Sequence, residues 1–234
     1  MTHATEILEF EAWSQNRAEA RFTDWLRESA QPTWDETINH RFTEELADGT
    51  LNPKVMVRYL IQDYTFLDAF VVLVSSAIAT ARTLPDRIPM CQFLGLVTGD
   101  EDTYFQRSFE ALGVSEEESI NTRLESVTVS FQDIMREAAD TGTYTNMIAV
   151  LTVAEWSYLS WANRVKDRRP DQFWLHEWID LHSGDDFERF VAFLRGQLDR
   201  DGPRLTAAER VECRNFFTRA VGLEKAFFVM AYEA

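Results

Sequence analysis

An all-α, single-domain helical bundle is what this sequence predicts, for three reasons. Apolar residues recur every three to four positions, no stretch alternates with the period of a strand, and glycine and proline punctuate the chain between long periodic stretches. The punctuation is Gln31-Pro32, Asp48-Gly49, Asn52-Pro53, Gly113, Gly142, Arg169-Pro170, Ser183-Gly184 and Gly202-Pro203.

Taken in order, the pattern predicts helices over 5–29, 33–47, 53–82, 86–111, 124–140, 143–166, 171–180, 185–199 and 204–232. Asp185 and Glu188 ahead of Phe190, Val191 and Phe193 read as a helix start, because a carboxylate at the N-cap satisfies free N–H groups of the first turn. Residues 1–35 read as an N-terminal helical extension of one domain over 1–234, and no linker, repeat or low-complexity tract divides the chain.

Composition narrows the function. With 17 Phe and 7 Trp the chain can fill a substantial core, and a formal charge of −16 repels phosphate backbones and anionic membranes, so neither nucleic acid nor membrane is an expected partner. The first ten residues lack the basic and apolar segments of a signal peptide, and no run reaches ~18 consecutive apolar residues, which points to a cytoplasmic protein. Cys91 and Cys213 are expected to be small buried hydrophobes.

Three acids stand where core residues belong. Asp63 interrupts the stripe Tyr59, Leu60, Phe66, Leu67 and Phe70. Glu155 is the one charged side chain between Thr141 and Asn163, with Leu151, Tyr158 and Leu159 a turn away. Glu224 lies among Val221, Phe227 and Phe228. Each acid has an aromatic three residues on: Phe66, Tyr158 and Phe227.

A buried, unpaired carboxylate is so unfavourable that it finds a partner or keeps its proton with a raised pKa, which is also how a general acid or base is made. One reading gives each acid a structural hydrogen bond or an arginine from another helix. The other brings all three to one flat-walled pocket suited to an amine-bearing heterocycle.

Other chemistries lack their residues. None of the four histidines follows a glutamate by three positions as a di-iron bundle requires, and there is no glycine-rich phosphate cradle, Cys-x-x-Cys or Gly-x-Ser-x-Gly. No metal and no cofactor is implied. His182 has a structural as well as a catalytic reading.

Several segments in this order carry a family likeness. They are His40-Arg41-Phe42, Asp48-Gly49-Thr50-Leu51, Tyr59-Leu60-Ile61-Gln62-Asp63-Tyr64, Ala154-Glu155-Trp156-Ser157-Tyr158, Trp178-Ile179 before Ser183-Gly184-Asp185, and Glu224 through Met230-Ala231-Tyr232. From His40 nearly to its end the chain resembles the TenA, or thiaminase II, family. The resemblance implies a heme-oxygenase-like bundle without heme, a homo-oligomer (tetramer or dimer), and hydrolysis of a small aminopyrimidine to hydroxymethylpyrimidine for thiamin salvage.

It also implies that Asp63 and Glu224 hydrogen-bond the aminopyrimidine and that Tyr158 lies beside the reacting centre. Phe66, Phe131 and His182 fall where many members carry tyrosine, and Phe227 is expected to wall the substrate. The family's nucleophilic cysteine falls on Ala154, immediately before Glu155, which resembles the subclass lacking that cysteine. The expected catalytic residues are therefore Glu224, Glu155 and Tyr158. A binding protein that has lost the chemistry, and a divergent enzyme of the same fold resembling pyrroloquinoline quinone synthase or a metal oxidase, are the alternatives.

Overall fold

The structure is a computed structural model in which residues 9–15 and 17–233 are described. Among these residues there is no strand. The helices are α1 Phe10–Ser14, α2 Phe22–Ser29, α3 Thr33–Ile38, α4 Arg41–Ala47, α5 Pro53–Thr80, α6 Leu84–Leu96, α7 Asp102–Leu112, α8 Glu116–Asn121, α9 Ser126–Asp140, α10 Tyr144–Val165, α11 Phe173–Leu181, α12 Asp185–Asp201 and α13 Ala207–Met230.

The centre of the bundle is α10, which packs on α5, α9, α12 and α13. Every residue from Thr145 to Tyr158 is buried, so this helix is enclosed on all sides. That explains why its sequence is almost free of charge. Around it, α5 pairs with α9 and α13 with α3 and α9. Gln62 fastens α5 to the start of α9, donating to the carbonyl of Arg123 (3.1 Å) and accepting from the Glu125 N–H (3.0 Å) and the Thr128 hydroxyl (2.6 Å).

By length and composition α5 alone among the described residues could cross a membrane. Here it is a bundle helix that carries Asp63 to the interior.

Four of the expected helices need correction. The helix expected over 5–29 is two, α1 and α2, and its residues 5–8 lie outside the described residues. The N-terminus of α2 is capped from α12, where Asp199 accepts the Thr23 N–H (2.8 Å) and Arg21 (2.7 Å); a cap supplied across the fold cannot be read from local spacing. The helix expected over 33–47 breaks at Asn39-His40, because the His40 ring accepts the Phe42 N–H (3.2 Å) and starts α4. At α12 the N-cap is Gly184, and Asp185, Asp186 and Glu188 occupy the first turn instead.

The fourth correction bears on the site. The helix expected over 86–111 is interrupted by one turn of π-helix at Val97–Glu101, between α6 and α7. Such a turn adds one residue, which rotates the downstream helix by about 100° relative to an unbroken one. Separately, α8 lies outside every expected helix; it forms behind the capping box of Ser115 and Glu118. Of the two cysteines, Cys213 is buried as expected but Cys91 is exposed.

Candidate functional site

Helices α5, α6, α9, α10 and α13, with the π-turn and the α11–α12 corner, enclose a cavity of about 820 Å³, within the range that holds small molecules. Asp63 comes to it from α5, Glu155 from α10 and Glu224 from α13. Phe66, Phe131, Tyr158, His182 and Phe227 line the same space. All eight residues singled out in the sequence thus meet at one cavity.

The aromatic offset has a geometric meaning. Phe66, one turn beyond Asp63, meets the Phe131 ring edge-on at 5.0 Å and faces Phe227 at 6.4 Å, so the residues three positions after two of the acids form adjoining walls. On the opposite flank Tyr158 lies 4.9 Å from His182. Ala154, small and at the wall, leaves open the space that a longer side chain would fill.

Among the described residues no cation compensates these acids. Glu155 and Glu224 are 7% and 3% exposed, and neither has a hydrogen-bond or ion-pair partner there. Burial drives both carboxyls well above the ordinary range. Glu101 and Asp63 push Glu155 further, and Asp63 and Glu155 push Glu224 further. Asp63 is raised to about 7 by burial, against which a hydrogen bond from Tyr59 acts. Burial thus favours the protonated form of each interior acid, and a ligand that brings a cation or a donor moves it back towards the ionised form.

Tyr158 is not free. Its hydroxyl lies 2.5 Å from that of Tyr59, the residue whose hydroxyl also favours the ionised form of Asp63. His182 is held as a neutral ring: Nδ1 donates to the carbonyl of Trp178 (2.8 Å), and burial lowers its pKa to about 4, which leaves Nε2 as an acceptor.

Two participants are not legible in the sequence. Tyr59 counts as apolar in a helical stripe, and nothing in that stripe shows that its hydroxyl points at an acid. Glu101 stands in the run Asp100-Glu101-Asp102, which reads as a solvated surface. In the structure Asp102 accepts from Tyr64 (3.2 Å) outside the cavity, whereas Glu101 lines it, with its pKa raised to about 8 by burial and by Asp63. Among the described residues no three acids, histidines or cysteines are grouped to hold a metal ion.

Comparison with known proteins gives the family and the fold. The model of the TENA/THI-4/PQQC family matches residues 27–234. The chain belongs to that family. An aminopyrimidine aminohydrolase of Halalkalibacterium halodurans is 26% identical over 213 residues, covering 90% of this chain and 95% of the relative. Another from Bacillus subtilis is 24% identical over 213 residues, with 91% and 90% covered.

Among solved structures, a TenA family transcription regulator from Silicibacter superposes with a TM-score of 0.80 at 24% identity, over 91% of this chain and 96% of that one. A TenA homologue from Pyrococcus furiosus does so at 0.81 with 18% identity, over 90% and 100%. At those identities the structural likeness establishes the all-α fold of the family.

Proposed function

We propose that the protein is a salvage hydrolase acting on a C–N bond, converting an aminomethyl or formylaminomethyl pyrimidine to the hydroxymethylpyrimidine. The observation that carries this reading is three buried acids, two of them without a partner among the described residues, around one aromatic-walled cavity. Such acids are costly to a fold unless a ligand uses them. The aminopyrimidine aminohydrolases among the relatives support the same chemistry.

The pyrimidine ring lies between the walls of Phe66, Phe131 and Phe227. Glu224 bonds a ring nitrogen and Asp63 accepts from the ring's amino group. Glu155, immediately after the family's cysteine position, takes a proton from water as the water oxygen bonds the exocyclic carbon. The C–N bond breaks with its electron pair on nitrogen, and Glu155 passes on the proton it took from water, so the nitrogen leaves as ammonium from the cationic aminomethyl substrate or as formamide from the N-formyl one. Tyr158, held by Tyr59, orients the water or the departing nitrogen.

With Ala154 in place of a thiolate nucleophile, no thioether-type intermediate is available, so thiamin is expected to be cleaved poorly. The single domain over 1–234, a cytoplasmic location and a homo-oligomer belong to the same reading, as does a small-molecule partner rather than nucleic acid or membrane.

The test is to incubate the protein separately with aminomethylpyrimidine, its N-formyl derivative and thiamin, following hydroxymethylpyrimidine by chromatography beside Glu224→Gln. Turnover of either of the first two, lost by about 10²–10⁴-fold in the variant, is expected. Ligand-induced thermal stabilisation without product from any of the three would replace the hydrolase with a binding protein.

A further inference from the structure

The fourth acid of the cavity, Glu101, has no part in that assignment, yet its placement is the most specific local feature of the fold. It closes the π-turn Val97–Glu101, where α6 would otherwise run straight into α7. π-turns re-aim side chains at the cost of regular hydrogen bonding and concentrate at functional sites. The turn separates two neighbouring acids into different environments. Asp102 is engaged by Tyr64 and Gln106 (3.2 and 3.4 Å), while Glu101 lines the cavity and, among the described residues, bonds nothing.

Its position relative to the other acids follows from the packing. α5, which carries Asp63, lies against α6 and α7, the helices that flank the π-turn, and also against α10 and α13, which carry Glu155 and Glu224. Asp63 thus stands on the helix that joins the Glu101 side of the lining to the Glu224 side. If Glu224 and Asp63 hold the ring, Glu101 faces the far end of the ligand, beyond the carbon that Glu155 serves. Among the described residues no positive side chain competes for it. The one Lys or Arg of the lining is Arg189, and it is bound to Asp186 at the rim. Asp100, Asp180 and Asp185 line the same side.

We infer that Glu101 is a specificity-determining residue that receives the departing nitrogen as an ammonium, so that the site favours a cationic aminomethyl substrate over its neutral N-formyl counterpart and over the neutral hydroxymethyl product. This rests on the ring orientation given under Proposed function. The ammonium itself draws Glu101 to its ionised form and donates a charge-assisted hydrogen bond to it, while a hydroxyl at the same place gains far less. The same contrast would help the product leave.

The experiment measures binding of aminomethylpyrimidine and hydroxymethylpyrimidine by calorimetry, alongside turnover of the aminomethyl and N-formyl substrates, in the wild type, Glu101→Gln and Glu101→Asp. For Glu101→Gln the expected result is about tenfold or greater weakening for the amine with hydroxymethylpyrimidine unchanged, appearing as a raised KM for the aminomethyl substrate and little change for the N-formyl one. Glu101→Asp, which keeps the charge but draws it back by one methylene, should recover part of the loss. That variant also decides the matter if the glutamine form does not fold.

An amine-to-alcohol binding ratio unchanged by both variants would overturn the inference. The two readings separate cleanly. A wild type that turns over neither substrate but loses amine selectivity on Glu101→Gln would refute the hydrolase and keep Glu101, while full turnover with unaltered selectivity would do the reverse.

Discussion

Among the described residues the bundle buries acids in two places, and their surroundings are opposite. Where α6 meets the end of α12, Asp86 and Asp201 are 7% and 5% exposed, and both are bound by Arg200: one guanidinium nitrogen lies 2.7 Å from Asp86, while the other two reach the carboxylate of Asp201 at 2.8 and 3.1 Å. Burial pushes Asp86 upward, but the bonds from Arg200 and Thr83 outweigh it and hold its carboxyl below the usual range. In the cavity, acids just as buried have no cation among the described residues and are pushed upward instead. The burial is the same; only the partner differs. The first cluster serves the fold, whereas the second leaves its bonding capacity for something that is not part of the chain.

The largest consequence is a contrast in stability. Arg200→Leu strands two buried carboxylates and should lower the unfolding free energy by about 1–3 kcal/mol, a range kept modest because the arginine is partly exposed, with turnover nearly unchanged. Glu224→Gln removes an acid that had no partner to lose, so it should leave stability equal or slightly higher while turnover collapses. Urea unfolding of the two variants beside the wild type measures the difference. Equal destabilisation would mean that the two clusters are both structural.

A second contrast lies in pH. Asp63, at about 7, and Glu101, at about 8, are raised above their unfolded values of 3.8 and 4.5, so the folded state holds their protons more tightly. Their contribution to stability is complete below the unfolded values and is lost as pH rises through 7 and 8. Asp86 runs the other way: its contribution is present above 3.8 and lost as pH falls through its lower folded value. The buried His182, at about 4, favours folding as pH rises towards 6.5, so the window that isolates the cavity is about pH 6.5 to 8, where the protons of Asp63 and Glu101 are lost from the folded state. Melting temperature of the ligand-free protein should fall across that window, with a shallower slope in Glu101→Gln. A slope that the variant does not change would remove Glu101 from the coupled group.

The same comparison explains what could be read from the sequence. Glu155 was legible because α10 is enclosed on every side, so one charge in 23 residues from Thr141 to Asn163 stands out. Asp63 and Glu224 were legible because each breaks an apolar face. The fold class came from helical period alone. Glu101 was hidden because a π-turn shifts the face without changing composition, and because its neighbours Asp100 and Asp102 make it look solvated. The cap that starts α2 was hidden because Asp199 supplies it from 176 residues away. Periodicity reports which face a regular helix buries; it is silent where the helix changes register or borrows a partner.

The smallest expected effect probes the hydroxyl that acts on the cavity acids from the chain. Tyr59→Phe removes a buried hydroxyl that meets Tyr158 at 2.5 Å and favours the ionised form of Asp63. Phenylalanine fits the same packing between Phe42 and Phe227, so the fold should lose about 1 kcal/mol or less. Asp63, deprived of the donor that favours its ionised form, should then titrate above 7. If Asp63 must be ionised to accept the substrate's amino group, the acidic limb of the kcat/KM profile moves to higher pH, while the plateau falls about three- to tenfold through the freed Tyr158. A profile that drops without moving would assign Tyr59 to Tyr158 alone, and one that neither drops nor moves would make the Asp63–Tyr59–Tyr158 chain, like the Arg200 cluster, a matter of folding only.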